Sequence, residues 1–172
     1  KHAQRLINDD GSFSQHSLVY HRMLLDAMVM AEIWRRHLKL DDFSAPTRER
    51  LCRAAEWLFA MIDPETGDGP NLGSNDGSRL LPLTDTCYRD FRPCVPLSTA
   101  LFCNRRAFAD GGTWNYPLSW LRVSLPEKCS PSPKTICFDK GGYAILRSNI
   151  ARVFFRYPRF RFRPAHSDAL HV

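Results

Sequence analysis

A tyrosine and two histidines lie close together near the start of the sequence, in the run QHSLVYHR at residues 15–22. Tyrosine and histidine both donate and accept protons, and a phenol becomes a general acid where nearby positive charge lowers its pKa from about 10. Arg22 and the two histidines supply such charge. The pattern therefore predicts Tyr20, His21 and His16 as catalytic residues. An inward-facing tyrosine with polar histidines on the surface explains the same spacing, and both interpretations stay open at this point.

A histidine and an aspartate near the end of the sequence are separated by one residue, His166 and Asp168. Alternate side chains of a β-strand share a face, so these two point the same way if the segment is a strand. Two such side chains can begin a zinc site, which needs three or four ligands. A polar sheet edge is the alternative.

Arginine and phenylalanine alternate just before this motif. As a strand, the segment places Arg159, Arg161 and Arg163 on one face and Phe160 and Phe162 on the other. Arginines in a row can pair with phosphates, uronates or sulfates, and arginines interleaved with aromatic residues also occur in single-stranded nucleic-acid binders. Simple alternation in a half-buried strand is a third explanation.

The first two thirds of the chain have helical periodicity. Apolar residues recur at three- and four-residue spacing over residues 17–38, and a second helix begins at a serine cap with a first-turn proline and covers residues 44–63. Further helices are predicted over residues 95–109 and 117–123. The glycine- and asparagine-rich segment GDGPNLGSNDG, residues 67–77, is predicted to be a functional loop, with a solvated connector as the alternative.

Short strands are predicted after a break at residues 130–133, where the sequence is SPSP. Residues 135–138, 143–147 and 151–156 are rich in β-branched and aromatic residues and are separated by turn residues. This pattern is typical of an antiparallel meander. Helices followed by strands predict an α+β arrangement or two domains.

Composition restricts the class of protein. The chain has 172 residues, 44% of them hydrophobic, with 24 Lys+Arg against 18 Asp+Glu and a formal net charge of +6. These values exclude a disordered or collagen-like chain, and no apolar run reaches the ~18–20 residues needed to cross a bilayer. Because no initiating Met or leader is present, we expect the chain to be part of a longer protein.

The six cysteines include no C-x-x-C pair, which leaves zinc-ribbon and thioredoxin-like functions without support. Cys52 and Cys103 lie within helical apolar patterns. We therefore expect reduced cysteines that act as small hydrophobic residues.

Nine short runs, spread over nearly the whole chain, carry a family likeness. They are DGSF (10–13), QHS (15–17), YHR (20–22), PNLG (70–73), NDG (75–77), RLLPL (79–83), GGY (141–143), LRS (146–148) and RPAHSDALH (163–171). In this order they resemble the heparinase II/III-like polysaccharide lyases, and most closely bacterial members found with exopolysaccharide genes.

The resemblance implies an α+β multidomain fold. Residues 1–129 are expected to be the end of a helical (α/α) toroid domain, and residues 130–172 the first strands of an antiparallel β-sandwich domain. The earlier toroid helices and most of the sandwich are expected to lie outside the chain.

The resemblance also implies a reaction, the β-elimination of a uronic-acid-containing polysaccharide. In that family a base removes the proton at C5, the bond from C4 to its oxygen breaks, and a tyrosine of the toroid protonates the departing oxygen. Tyr20 matches that tyrosine, with His21 and His16 in support. Gln15, Asn75 and Arg163 are the expected substrate-binding residues.

A structural zinc is implied by the same likeness, with His166 as its first ligand and the remaining ligands outside the chain. The expected partner is an acidic polysaccharide, with no nucleic acid and no membrane span. Family members with lytic activity are commonly periplasmic, so a periplasmic or cell-envelope location is expected, with a cytoplasmic one as the alternative.

Two departures from the family pattern favour a different function. Pro164 stands where lytic members often carry a histidine, and the residue that neutralises the substrate carboxylate should precede Lys1. The alternative is a non-catalytic or divergent exopolysaccharide-binding or biosynthesis accessory protein on the same fold. A toroid glycoside hydrolase needs two carboxylates flanking the bond, and no convincing pair is found.

Overall fold

The computed structural model describes residues 2–157, apart from the side chain of His2. Helices precede strands, as expected. The elements in chain order are α1 (His2–Leu6), α2 (Leu18–His37), α3 (Ala45–Met61), α4 (Cys94–Ser98), a π-helical turn (Thr99–Cys103), a 3-10 turn (Thr113–Asn115), α5 (Tyr116–Trp120), β1 (Ile136–Phe138), β2 (Tyr143–Arg147) and β3 (Arg152–Arg156).

The α+β class is confirmed: within residues 2–157, five α-helices are followed by a three-stranded antiparallel sheet that does not close. Residues 2–157 contain neither a toroid nor a β-sandwich, so the finer architecture stays a prediction, as does the domain boundary at residue 129. In the described part of the chain, no helix has both the length and the apolar character needed to cross a membrane.

Helix α2 begins and ends where local chemistry predicts. The Ser17 hydroxyl accepts a hydrogen bond from the Tyr20 amide at 3.2 Å and caps the first turn. At the other end, Lys39 adopts a left-handed backbone with φ of 54°, which stops the helix just after Leu38. These signals are local, so the predicted span of residues 17–38 agrees with the structure within one residue at each end.

Helix α3 is the central element of the core. Its buried side includes Leu51, Trp57 and Leu58, which pack among residues from α2, α4 and the sheet. The indole of Trp57 lies 5.3 Å from the ring of Tyr143 and 6.2 Å from that of Phe138, measured between centroids. The helices and the sheet therefore share one hydrophobic core.

Two predictions about this region are wrong. Cys52 of α3 and Cys103 of the π-helical turn form a disulfide instead of remaining reduced, because packing brings their Cα atoms to 4.9 Å. The helix predicted over residues 95–109 ends at Cys103, where Asn104 turns left-handed with φ of 52°. Periodicity continues beyond this point in the sequence, but the backbone reversal at Asn104 ends the helix.

The sheet is a simple meander in which β2 is central. Tyr143 of β2 is opposite Phe138 of β1 on one side and Arg156 of β3 on the other. Strand β2 occupies the predicted residues 143–147, and the other two strands begin one residue later than predicted. Gly142, with φ of +74°, makes the tight turn between β1 and β2 that only glycine adopts without strain.

Candidate functional site

The residues that begin α2 are in direct contact with the glycine-rich loop. The Ser17 hydroxyl donates to the carbonyl of Ser74 at 2.6 Å. Gly73 has φ of +62°, and a Cβ placed there would lie 2.4 Å from the carbonyl oxygen of His16. The close approach explains the glycine and brings the loop against the residues that begin α2. The segment predicted as a functional loop is thus held beside the predicted site.

The phenol of Tyr20 meets this loop at Asp76. Its hydroxyl donates to Asp76 Oδ2 at 3.1 Å, while Asp76 Oδ1 accepts the Ser78 amide at 3.0 Å. Hydrogen bonds from the Ser78 side chain and backbone hold the pKa of Asp76 below its ordinary value. The carboxylate is therefore charged at neutral pH and accepts the hydrogen bond from the Tyr20 hydroxyl.

A pocket of about 330 Å³ opens beside Tyr20, lined also by Phe13, Gln15, Met23 and Leu24. Its size is within the range of small-molecule sites. The Oε1 atom of Gln15 is buried and has no hydrogen-bond partner among residues 2–157. A buried acceptor without a partner costs free energy.

Asn75 lies beside Asp76 in the same loop. Its amide donates to Asn71 Oδ1 at 2.6 Å and to the Tyr88 hydroxyl at 3.1 Å. Asp76 belongs to the NDG run and to the predicted loop, but neither Asp76 nor Tyr88 was among the predicted site residues. The run NDG marks a turn, but the tyrosines that meet it are 56 and 13 residues away.

His16 is buried against the sheet and away from the surface. Its Nδ1 lies 3.2 Å from the Tyr143 hydroxyl, and its backbone has φ of 52°. Burial, and then the charge of Arg156, lowers the pKa of His16 to about 4. The imidazole is therefore neutral at pH 7 and supplies no positive charge to Tyr20.

His21 is fully buried on the opposite side of α2 from solvent. Its Nε2 donates to the carbonyl of Ala54 at 2.9 Å, and its ring stacks on Trp57 with centroids 4.4 Å apart. Burial lowers the pKa of His21 to about 4, although the bond to Ala54 acts in the other direction. The alternative that both histidines are surface residues is therefore wrong.

The Arg22 side chain binds backbone carbonyls next to the loop. Its guanidinium donates to the carbonyls of Ser78, at 2.7 Å, and Tyr88, and it lies over the ring of Phe91. It therefore positions the segment that carries Asp76, and its charge is used in contacts with carbonyl groups.

Two predicted site residues, Arg163 and His166, lie outside the described residues, as does Pro164. Within residues 2–157, the one cluster of potential metal ligands is Cys52, Glu56 and Cys103. The disulfide removes both thiolates of that cluster, so it is not a metal site. The zinc prediction rests on His166.

Comparison of the chain with protein-family models, with curated proteins and with solved structures finds no match.

Proposed function

We propose that the protein is a polysaccharide lyase that cleaves a uronic-acid-containing polysaccharide by β-elimination. The observation that carries this proposal is the position of Tyr20, which lines an open pocket and whose hydroxyl donates a hydrogen bond to the charged Asp76. The bond keeps the phenol protonated, which is the form that a general acid needs.

In this reaction a base takes the C5 proton, the electrons of that C–H bond form the C4–C5 double bond, and the bond between C4 and its oxygen breaks. The departing oxygen needs a proton, which Tyr20 supplies. Gln15 lines the same pocket and is proposed to contact a sugar hydroxyl. Asn75 approaches the substrate from the loop next to Asp76.

The two histidines support Tyr20 without charge. His16 contacts the sheet through Tyr143, and His21 fixes the buried side of α2 against α3. Arg163 is proposed to pair with a uronate carboxylate and His166 to bind zinc, as the resemblance implies. The net charge of +6 favours a polyanionic substrate.

The disulfide supports a periplasmic or cell-envelope location. Disulfides persist in oxidising compartments and are rare where thiol reductants are abundant. The Cys52–Cys103 bond therefore favours export over the cytoplasmic alternative.

The experiment is an ultraviolet assay of the unsaturated uronyl product, carried out on the full natural chain. Heparan sulfate, hyaluronan, alginate, polyglucuronate and the host's own exopolysaccharide are offered as substrates. Wild-type protein is expected to produce the absorbance with one of them, and Tyr20→Phe to lose about 10²-fold or more of kcat, a typical contribution of general acid catalysis.

Tyr116→Phe is the matched control, because Tyr116 is an exposed tyrosine of α5 away from the pocket. This control should keep wild-type activity. A product that forms equally well with Tyr20→Phe keeps the lyase and contradicts the site. Binding to one polymer without any product indicates the accessory protein instead.

A further inference from the structure

We propose that a second pocket, between the end of α3 and the sheet, binds one uronic acid unit of the polysaccharide, with Arg152 pairing with the sugar carboxylate. This seam pocket has a volume of about 380 Å³ and is lined by the end of α3, the segment that follows it, and strands β2 and β3. The inference rests on the proposed function for the class of ligand, and it adds a binding site apart from the pocket beside Tyr20.

The register of the sheet explains why Arg152 lies at this pocket. Arg152 and Phe154 are two residues apart in β3 and therefore share a face of the sheet. Phe154 is opposite Ile145 of β2, and all three residues line the pocket. Arg147 is on the same face of β2 and donates to the carbonyl of Ala60 in α3 at 2.6 Å. This face thus lies against the end of α3, and Phe154 adds an aromatic ring on which the apolar side of a sugar can pack.

The charge of Arg152 is not matched by a direct partner. Its exposed guanidinium makes neither a hydrogen bond nor an ion pair within residues 2–157. The residue directly opposite in the sheet is Arg147, which has the same charge and binds the carbonyls of Ala60 and Ile62. Burial, and then the charge of Arg152, lowers the pKa of Arg147. Like charges on opposite residues of neighbouring strands are destabilising, and an anionic group bound at Arg152 would offset that repulsion.

The acidic residues of the seam pocket indicate which anion suits it. Asp63 and Asp68 also line it; Asp63 Oδ1 accepts the Thr66 amide at 2.9 Å, and Asp68 pairs with Arg89 at 2.7 Å. A bare sulfate or phosphate would be repelled by these carboxylates, and a neutral sugar would leave Arg152 without a partner. A uronic acid offers a carboxylate to Arg152 and hydroxyl donors to the two aspartates.

The glycine-rich loop connects the seam pocket to the Tyr20 site. Asp68 lies in the seam pocket, and Asp76 of the same loop accepts the Tyr20 hydroxyl. The eight residues from Asp68 to Asp76 (76 − 68 = 8) span at most about 28 Å even when fully extended. The loop is packed closely against the start of α2, where a Cβ on Gly69 would lie 2.4 Å from Leu18 Cδ2. One polymer chain can therefore occupy both sites.

The first test measures binding by titration calorimetry on the full natural chain that carries Tyr20→Phe, which prevents cleavage. The probes are uronic acid tetrasaccharides prepared from polyglucuronate and from alginate. Arg152→Gln is expected to raise the Kd of the tighter probe about tenfold, because one charge-assisted pair is lost, and Arg152→Lys should restore part of the affinity. Arg122→Gln is the matched control, since Arg122 is an exposed arginine that does not line the pocket.

Two further probes define the chemistry of the site. Inorganic sulfate and the tetrasaccharide of glucose should each bind at least about tenfold more weakly than the uronic acid probe, and Arg152→Gln should not change the Kd of the glucose probe. Without any sugar, Arg152→Gln should have a Tm equal to or above that of the parent protein, because it removes the repulsion with Arg147. A Tm well below the parent value would make Arg152 a structural residue and overturn the inference.

The outcomes separate the seam pocket from the lyase reaction. An unchanged Kd in Arg152→Gln, no binding of either uronic acid probe, or equal affinity for sulfate overturns the inference, while product from the wild type keeps the lyase. If the wild type cleaves none of the polymers but binding still depends on Arg152, the proposed reaction fails and the site stands. A weaker uronic acid complex in Arg152→Gln, with the stability of the parent and an unaffected Arg122→Gln, supports the inference.

Discussion

Helix α2 buries four ionisable side chains, and the contacts that offset the cost of burial differ among them. They are His21, Arg22, Asp26 and Glu32. Glu32 is surrounded by the guanidinium groups of Arg35, Arg36 and Arg48. Asp26 has less compensation: burial raises its pKa to about 6, against smaller effects from Cys94 and Arg22.

We expect the buried His21 to destabilise the fold on acidification. Its pKa is lowered to about 4 in the folded state, so the unfolded chain binds a proton first, between pH 6.5 and pH 4. Stability from this group is complete above pH 6.5 and is lost as the pH falls. At pH 5 the loss is about 2 kcal/mol relative to pH 7.5. Urea unfolding at the two pH values measures it.

The quantity to compare is the change in the free energy of unfolding between the two pH values, because His21→Gln also loses packing on Trp57 at either pH. This variant should show a smaller loss from pH 7.5 to pH 5 than wild type. His37→Gln changes an exposed histidine of the same helix and should lose as much stability as wild type from pH 7.5 to pH 5. Asp26 contributes the opposite sign, since its raised pKa favours the fold at lower pH. An unchanged loss in His21→Gln would contradict the buried neutral ring.

At the scale of elements, the disulfide ties α3 to the π-helical turn. It joins Cys52 and Cys103 across a sequence separation of 51 residues, between two elements that are also in direct contact. A cross-link of this length restricts the unfolded chain, so most of its stabilisation is expected to come from the unfolded state.

Removing this bond in the double variant Cys52→Ser, Cys103→Ser should lower the free energy of unfolding by about 2–4 kcal/mol. Reduction of the wild type should have a similar effect. The measurement is urea unfolding, with thiol counting by mass spectrometry to establish the pairing. Cys87→Ser removes an exposed free thiol and serves as the control. Two alkylatable thiols at residues 52 and 103 in the oxidised protein would refute the pairing.

At the scale of the whole molecule, the N-terminal loop joins the helices to the sheet. Asp10 Oδ2 accepts the amides of Lys140 and Gly141 at 2.8 and 3.1 Å, and Asp10 Oδ1 accepts the Ser12 hydroxyl at 2.6 Å. Arg147 of β2 donates to the carbonyl of Ala60 in α3 at 2.6 Å. The sheet is thus attached to the helices by polar contacts around the Trp57 core.

Asp10→Ala is expected to weaken this attachment, because two amides lose a charged acceptor. Hydrogen bonds to a charged group contribute about 1.5–3 kcal/mol, which sets the expected loss of stability. Hydrogen exchange at Lys140 and Gly141 should accelerate. Asp9→Ala is the control, because Asp9 forms an ion pair with Arg50 of α3 and not with the sheet. Equal exchange rates in the two variants would show that Asp10 is not the attachment.

Local sequence signals sufficed for the main elements. The serine cap at residue 17, the proline in the first turn of α3 and the short apolar run at residues 143–147 between turn residues act over a few residues, so α2, α3 and β2 could be located from them. Helix α1 was not predicted from the sequence, and the helix end at Cys103 was placed too late. A five-residue helix offers little periodicity, and a left-handed Asn104 is not visible in the apolar pattern.

The sequence by itself determined an α+β chain with candidate chemistry at Tyr20 and its neighbouring histidines. Only the tertiary structure decided which groups meet: Tyr20 with Asp76 across 56 residues, and His16 with Tyr143 across 127 residues. It also decided that His21 is enclosed by α3. Helical and strand periodicities report which side of an element is buried, but contacts between distant segments depend on how loops bring those elements together.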